Sequence, residues 1–258
     1  MNKHDSLGDR MKEYESVTQN KVMKKTPTVI RLDGKAFHTL TKRLNVDNDP
    51  SLLDTPFSVK LHHVMVNTVY QLMSIIQNAK FAYTQSDEIT IVLVDYHDIK
   101  TEQWFNSNIQ KIVSTSAAEC SVIFNKLMAE EFAGTDMVNV TGTFDSRVFN
   151  LPSHTELVNN ILWRQNDASR NSISMYARHF FSHKELQNKT CFDMLNMLTE
   201  INHRWEDLPI WMRRGTAVIK TDTGIQIDEN MPIIKENWGY LDYLLPPDTS
   251  NKRIEARV

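Results

Sequence analysis

Two acidic residues stand where β-rich runs give out, and their positions suit phosphoryl chemistry. In Thr28 to Leu40, TVIRLDGKAFHTL, the apolar Val29, Ile30 and Leu32 lead to Asp33 and then Gly34. In Phe81 to Val94, FAYTQSDEITIVLV, two strand-like runs flank Ser86, Asp87 and Glu88 in a polar turn. If these strands lie side by side, Asp33 and Asp87 reach one cation. Mg²⁺ takes one or two carboxylates together with substrate phosphates. Two such ions clamp the attacking and leaving oxygens at phosphorus. Both acids can equally be ordinary turn carboxylates, and spacing leaves the two readings open. Glu88 alternates away from Asp87 if it lies in a strand, which suits a supporting acid beside a ligand.

Gly34 permits close approach of backbone to a ligand. The N–H groups of Lys35, Ala36 and Phe37 can cradle a triphosphate if they open a turn or helix, with His38 beside them. Lys35 is as readily a solvated lysine, and Phe37 a core residue. Arg147, Arg164, Arg178, Lys184, Arg213 and Arg214 are candidate phosphate or RNA contacts, because the guanidinium fork is bidentate. Arg164 and Arg178 lie nearly four helical turns apart and would share a helix face.

Around these residues, periodicity predicts the supporting elements. Residues 4–15 read as a short helix with Leu7, Met11 and Tyr14 on one face. Phe57, Leu61, Val64, Thr68, Leu72 and Ile75 mark a long amphipathic helix from Pro56 to about Asn78. A second runs from about Thr101 to Met128, with Phe105, Ile109, Ile112, Cys120, Ile123 and Leu127 as its buried stripe. The strand-like VTGTFDSRVFNLP follows. Residues 1–150 thus read as β-α-β-β-α-β, the antiparallel ferredoxin-like order. Residues 151–258 read as a mainly helical extension packed on it, probed by three cap pairs: Ser153 with Glu156, Ser182 with Glu185, and Thr190 with Asp193. A hairpin spans Thr216 to Asp228, and the tail PPDTSNKRIEARV reads as frayed.

The 258 residues suffice for a sizeable core, and the composition is that of a soluble globular chain. A net charge of -3 argues against a global polyanion-binding field, so any RNA site is a local patch. Cys120 and Cys191 form no metal-ligand pattern, and a reducing cytoplasm is expected. Neither a signal-peptide core nor a membrane-length apolar run is visible, so no membrane partner is expected.

Taken together, RLDGKAFH, YTQSDEITIVL, FDSRVFNLPS, WRQNDA, SHKEL and LPIWMRRGTAVIK resemble the tRNA-histidine guanylyltransferase family over roughly residues 4 to 220. The resemblance implies an α+β, polymerase-type palm and addition of nucleotides to the 5′ end of tRNA, in the 3′-to-5′ direction. It implies two Mg²⁺ held by Asp33, the Gly34 carbonyl and Asp87, with ATP and GTP as substrates. It places the nucleotide on Asp33 to His38 with Ser86 and Asp87, and suggests a homotetramer. Where eukaryotic members read H-I-N-N-L-Y-N after the W-R-Q-x-D stretch, this chain reads S-R-N-S-I-S-M, Ser169 to Met175. That resembles the guanylyltransferase-like branch, which repairs truncated tRNA 5′ ends against a template. Dedicated guanylyl transfer to histidine tRNA is the alternative. A palm-type cyclase or signalling synthase is expected less, since the turn reads Gln85-Ser86-Asp87-Glu88 and not G-G-D-E-F. A silent tRNA-binding protein would not need both acids.

Overall fold

The computed structural model describes residues 6–44, 56–97 and 100–245. The tail from residue 246, the start of the first helix and most of the polar loop after His38 lie outside these. Among the described residues no helix is long and apolar enough to cross a membrane.

The helices are α1 (Ser6–Ser16), α2 (Phe37–Leu44), α3 (Val59–Ile75), α4 (Ile109–Glu131), α5 (His154–Phe180), α6 (His183–Leu186), α7 (Cys191–Glu200), α8 (Ile210–Arg214) and α9 (Gly239–Leu244). The strands are β1 (Thr28–Gly34), β2 (Ala79–Gln85), β3 (Glu88–Leu93), β4 (Phe144–Asn150), β5 (Thr216–Thr221) and β6 (Gly224–Asp228). They form one sheet in the order β4-β1-β3-β2-β5-β6, with every pairing antiparallel. The predicted hairpin is β5-β6, and it extends the same sheet through pairing of β5 with β2.

Alternation along the strands divides the core. Ile30, Leu32, Ile89 and Ile91 face a cluster built with Val64, Leu72, Cys120 and Phe124 of α3 and α4. Val29, Phe81, Val92 and Ile219 face Leu157 and Ile161 of α5, together with Met231, Ile234 and Leu241. A third cluster joins the far half of α5 to α6, α7 and α8 through Ile173, Tyr176, Leu198 and Met212. The helix is long enough to leave the sheet and start a second core: 27 residues span about 40 Å.

Several boundaries differ from expectation for local reasons. The second long helix begins at Ile109, because Asn108 caps it by accepting from the Lys111 N–H at 3.0 Å. Phe105 stands before it with φ 48° and is exposed, so it is not part of the buried stripe. α3 starts after Ser58, whose hydroxyl accepts from Leu61 N–H, which leaves Phe57 outside the helix. The capping boxes at Ser182 and Thr190 are complete. At Ser153 the hydroxyl accepts from Glu156 N–H, while the Glu156 carboxylate accepts from Asn159. The predicted apolar face of α1 is left uncovered by the described residues: Leu7, Met11 and Tyr14 are all exposed.

Candidate functional site

The site forms where β1 and the β2-β3 hairpin end together. Asp33 pairs in register with Glu88 on β3 and with Asp145 on β4. The hairpin turns on two residues, Ser86 and Asp87, and Ser86 takes a left-handed φ of 55°. Gly34 N–H donates to the Asp87 carbonyl at 3.1 Å, which ties the two strand ends together. The Ser86 hydroxyl lies 3.1 Å from Asp87 Oδ1.

Both acids are held at an electrostatic cost. Burial raises the Asp33 carboxyl above its ordinary value; Glu88 and Asp145 add to this, while Arg31 and Arg147 oppose it. Burial also raises Asp87; its own backbone N–H and Ser86 oppose the shift, and Asp33 and Glu88 reinforce it. Two partly desolvated carboxylates that repel each other fit a hard divalent cation, which supplies the countercharge. Among the described residues no three His, Cys, Asp or Glu are arranged to hold a metal alone. A Mg²⁺ at this end of the sheet would therefore need phosphate oxygens and water to complete a shell begun by Asp33 and Asp87.

Glu88, expected among the catalytic acids, has both oxygens engaged. Arg31 Nη2 lies 2.6 Å from Oε1, and Arg164 Nη1 lies 2.7 Å from Oε2. It anchors charge beside the site and is not a free base. Arg164, expected at phosphate, is buried, with its second nitrogen 3.2 Å from Asp167. The two arginines do share a face of the unbroken α5, but they differ in burial along it. At Arg164 helix α5 lies on the sheet; at Arg178 it has passed beyond, and that side chain is exposed.

The proposed cradle is only partly free. Lys35 N–H donates to the Thr143 carbonyl at 2.8 Å. Ala36 has φ 57° and leads into α2, with Lys35, Ala36 and His38 exposed. Phe37 is a core residue, 5.2 Å from Phe124 and 5.0 Å from Phe144 between ring centroids. Gly34 answers to that ring: a Cβ there would lie 2.4 Å from Phe37 Cδ2.

Beside the end of β2 opens a cavity of about 150 Å³, lined by Thr41, Met65, Ser86, Met175 and Trp211 among others. His62 stacks on Trp211 in its wall, with centroids 3.8 Å apart, and its Nε2 lies 2.8 Å from Glu229. Arg213 and Arg214 end α8 at the same edge. Tyr83 Oη donates to the Arg214 carbonyl at 2.7 Å, and Gly215 follows with φ 75° where a Cβ would strike the Thr84 carbonyl. The Nε of each arginine is buried without a hydrogen-bond partner. Burial, and then the like charge of Arg213, lower the Arg214 pKa, while Glu236 opposes the shift. Arg147, Arg178 and Lys184 are exposed.

Sequence reasoning missed Arg31 and Asp145, whose roles come from cross-strand register. Of Ser169 to Met175, Ser172 is buried and accepts from the Trp205 indole N–H at 2.9 Å, whereas Met175 reaches the cavity.

Residues 8–152 match the family described as Thg1, tRNAHis guanylyltransferase. A bacterial Thg1-like protein solved with ATP is 38% identical, with a TM-score of 0.82, and the match covers 93% of this chain and 100% of that one. Another, solved with GTP, is 34% identical with a TM-score of 0.74 over the same shares. The probable tRNA(His) guanylyltransferase of Bos taurus is 24% identical over 74% of this chain and 63% of its own length. An uncharacterised protein of Acanthamoeba polyphaga mimivirus is 26% identical over 85% of this chain and 80% of its own.

Proposed function

The chain belongs to the tRNAHis guanylyltransferase (Thg1) family, and from that premise we propose that it is a Mg²⁺-dependent tRNA nucleotidyltransferase extending 5′ ends in the 3′-to-5′ direction. The observation that carries the reading is the meeting of Asp33 and Asp87 at adjoining strand ends, both destabilised as anions. The strand order β4-β1-β3-β2 with α3 and α4 on one face supports a palm of ferredoxin-like type in residues 1–150. Residues 151–258 are its helical and hairpin extension. The enzyme would act as a cytoplasmic homotetramer.

The reaction has two transfers. A 5′-monophosphate oxygen of the RNA attacks the α-phosphorus of ATP or GTP and releases pyrophosphate. The 3′-hydroxyl of the incoming nucleotide then attacks the activated 5′-phosphorus, loses its proton to solvent, and releases the nucleoside monophosphate. Mg²⁺ held by Asp33, Asp87 and the Gly34 carbonyl would supply Lewis acidity and neutralise phosphate charge. The N–H groups at the start of α2, that of Lys35 excepted, orient the triphosphate. Arg213 and Arg214, with unpaired Nε groups, take phosphate oxygens bidentately. The cavity beside Ser86 takes the nucleotide's base on its apolar wall. Glu88 keeps Arg31 and Arg164 fixed next to the acids.

Template-dependent repair is the specific role proposed. It rests on Ser169 to Met175, where the imidazole and most polar groups of the eukaryotic pattern are missing and Ser172 is spent on Trp205. Base pairing then supplies the selectivity that the protein does not. The test is labelled-nucleotide addition to tRNAs with intact or shortened 5′ ends, with the opposing base varied. Repair predicts faster addition to the shortened tRNA, following the template base. Faster addition of G to intact histidine tRNA would replace this role with dedicated guanylyl transfer.

A further inference from the structure

Trp163 has no role in the chemistry above, yet it is an exposed aromatic packed against the arginines beside it. The residue is 53% exposed, which is unusual for tryptophan next to a packed helix face. The Arg164 guanidinium carbon lies 3.6 Å from the ring centroid, and that of Arg31 lies 5.8 Å away. These are the two arginines clamped on Glu88, at 2.6 and 2.7 Å. Arg31 is two residues from Asp33 on the same side of β1, roughly 7 Å along the strand. A chain of fixed charges thus holds the exposed ring close to the carboxylates. The side chain of Arg147, on neighbouring β4, is 58% exposed.

We propose that Trp163 is the stacking platform for the nucleobase at the 5′ end of the RNA, with Arg147 beside it for the adjoining phosphate. This rests on the nucleotidyltransferase reading and adds to it a place for the second substrate. Arg147 lies 3.4 Å from Asp145 in an exposed pair that water screens, so its guanidinium can still reach a phosphate. An exposed, preorganised aromatic with an exposed arginine on the next strand is a combination that binds single-stranded nucleic acid, because every base offers a π-face. The position selects RNA over free nucleotide. The apolar cavity adjoins β2, whereas Trp163 adjoins β1, and β3 with Glu88 separates them. A transfer between two nucleotides needs two base sites on either side of the reacting phosphorus, and these are the two.

The experiment uses the full chain with Mg²⁺ and two fluorescent probes. One is a 5′-shortened tRNA with 2-aminopurine as its first nucleotide; the other is 2-aminopurine riboside triphosphate. Wild-type protein should quench the RNA probe. Trp163→Ala should restore its fluorescence and raise the KM for RNA about tenfold, the cost of one lost stack. Trp163→Phe should keep the quench and most of the affinity, and quenching of the triphosphate should not depend on position 163. A folded Trp163→Ala with unchanged RNA quench and KM would overturn the proposal and leave the ring as a brace for Arg164. Loss of triphosphate quench in place of RNA quench would overturn it too. Quench that depends on Trp163, in a wild-type protein that adds no nucleotide, would uphold the platform and sink the nucleotidyltransferase reading.

Discussion

At the scale of single residues, the two acids and the glycine between them make opposite predictions. Asp33→Asn and Asp87→Asn should each abolish nucleotide transfer, while the melting temperature holds or rises, because each removes a charge that burial disfavours. Mg²⁺ should raise the melting temperature of the wild type and not of either variant, by mass action on the folded state. A variant that keeps near-normal turnover would sink the ligand assignment. Gly34→Ala should instead act through packing. Its Cβ meets the Phe37 ring, and overpacking of this kind costs about 1–3 kcal/mol. Denaturant titration should show that loss, and Gly34→Ala with Phe37→Leu should recover part of it. The acids were legible in the sequence because a strand end followed by turn residues is a local signal. Phe37 was read two ways; its burial decides for core. Arg164 was not legible as a buried residue, because its partner Glu88 is 76 positions away in the chain.

At the scale of elements, capping was the most readable signal, since it needs only four consecutive residues. Thr190→Ala should destabilise the α7 region by about 1 kcal/mol, measured by urea unfolding. The Asp193 carboxyl is held below its ordinary value by the Thr190 backbone N–H and then by its hydroxyl. A pKa depressed by folding contributes stability above the unfolded value and loses it as pH falls through the folded one. Asp193→Asn should therefore be less stable than wild type at neutral pH, and the gap should close on acidification through the carboxylate range. A gap that widens in acid would contradict the assignment. The start of α4 was misread for a physical reason. Phe105 continues the apolar period, but it and Asn106 carry φ of 48° and 50°, which no helical periodicity reveals. The sheet order beyond the first four strands was equally silent in the sequence, because pairing of β5 with β2 depends on residues far apart in the chain.

At the scale of the whole molecule, an overall charge of -3 forces RNA binding onto a patch. Log affinity for tRNA should fall linearly with log salt, by roughly 0.7 to 0.9 per phosphate neutralised. Lys184→Ala and Arg178→Ala should each flatten that slope, since both side chains are exposed. Arg164→Met should lower stability and leave the slope alone; equal flattening by all three would mean that Arg164 is not committed to Glu88. The separate cores carry one further consequence. Cys120 is wholly enclosed between α4 and the sheet, where burial pushes its thiol pKa up, while Cys191 sits half-covered at the start of α7 against the third cluster. The chain's two thiols thus form a natural pair of clocks. A maleimide pulse should tag Cys191 each time the helical end breathes, and Cys120 only when α4 lifts from the strands that present the acids. Their ratio of tagging rates would time the opening of one half against the other, with no engineered probe.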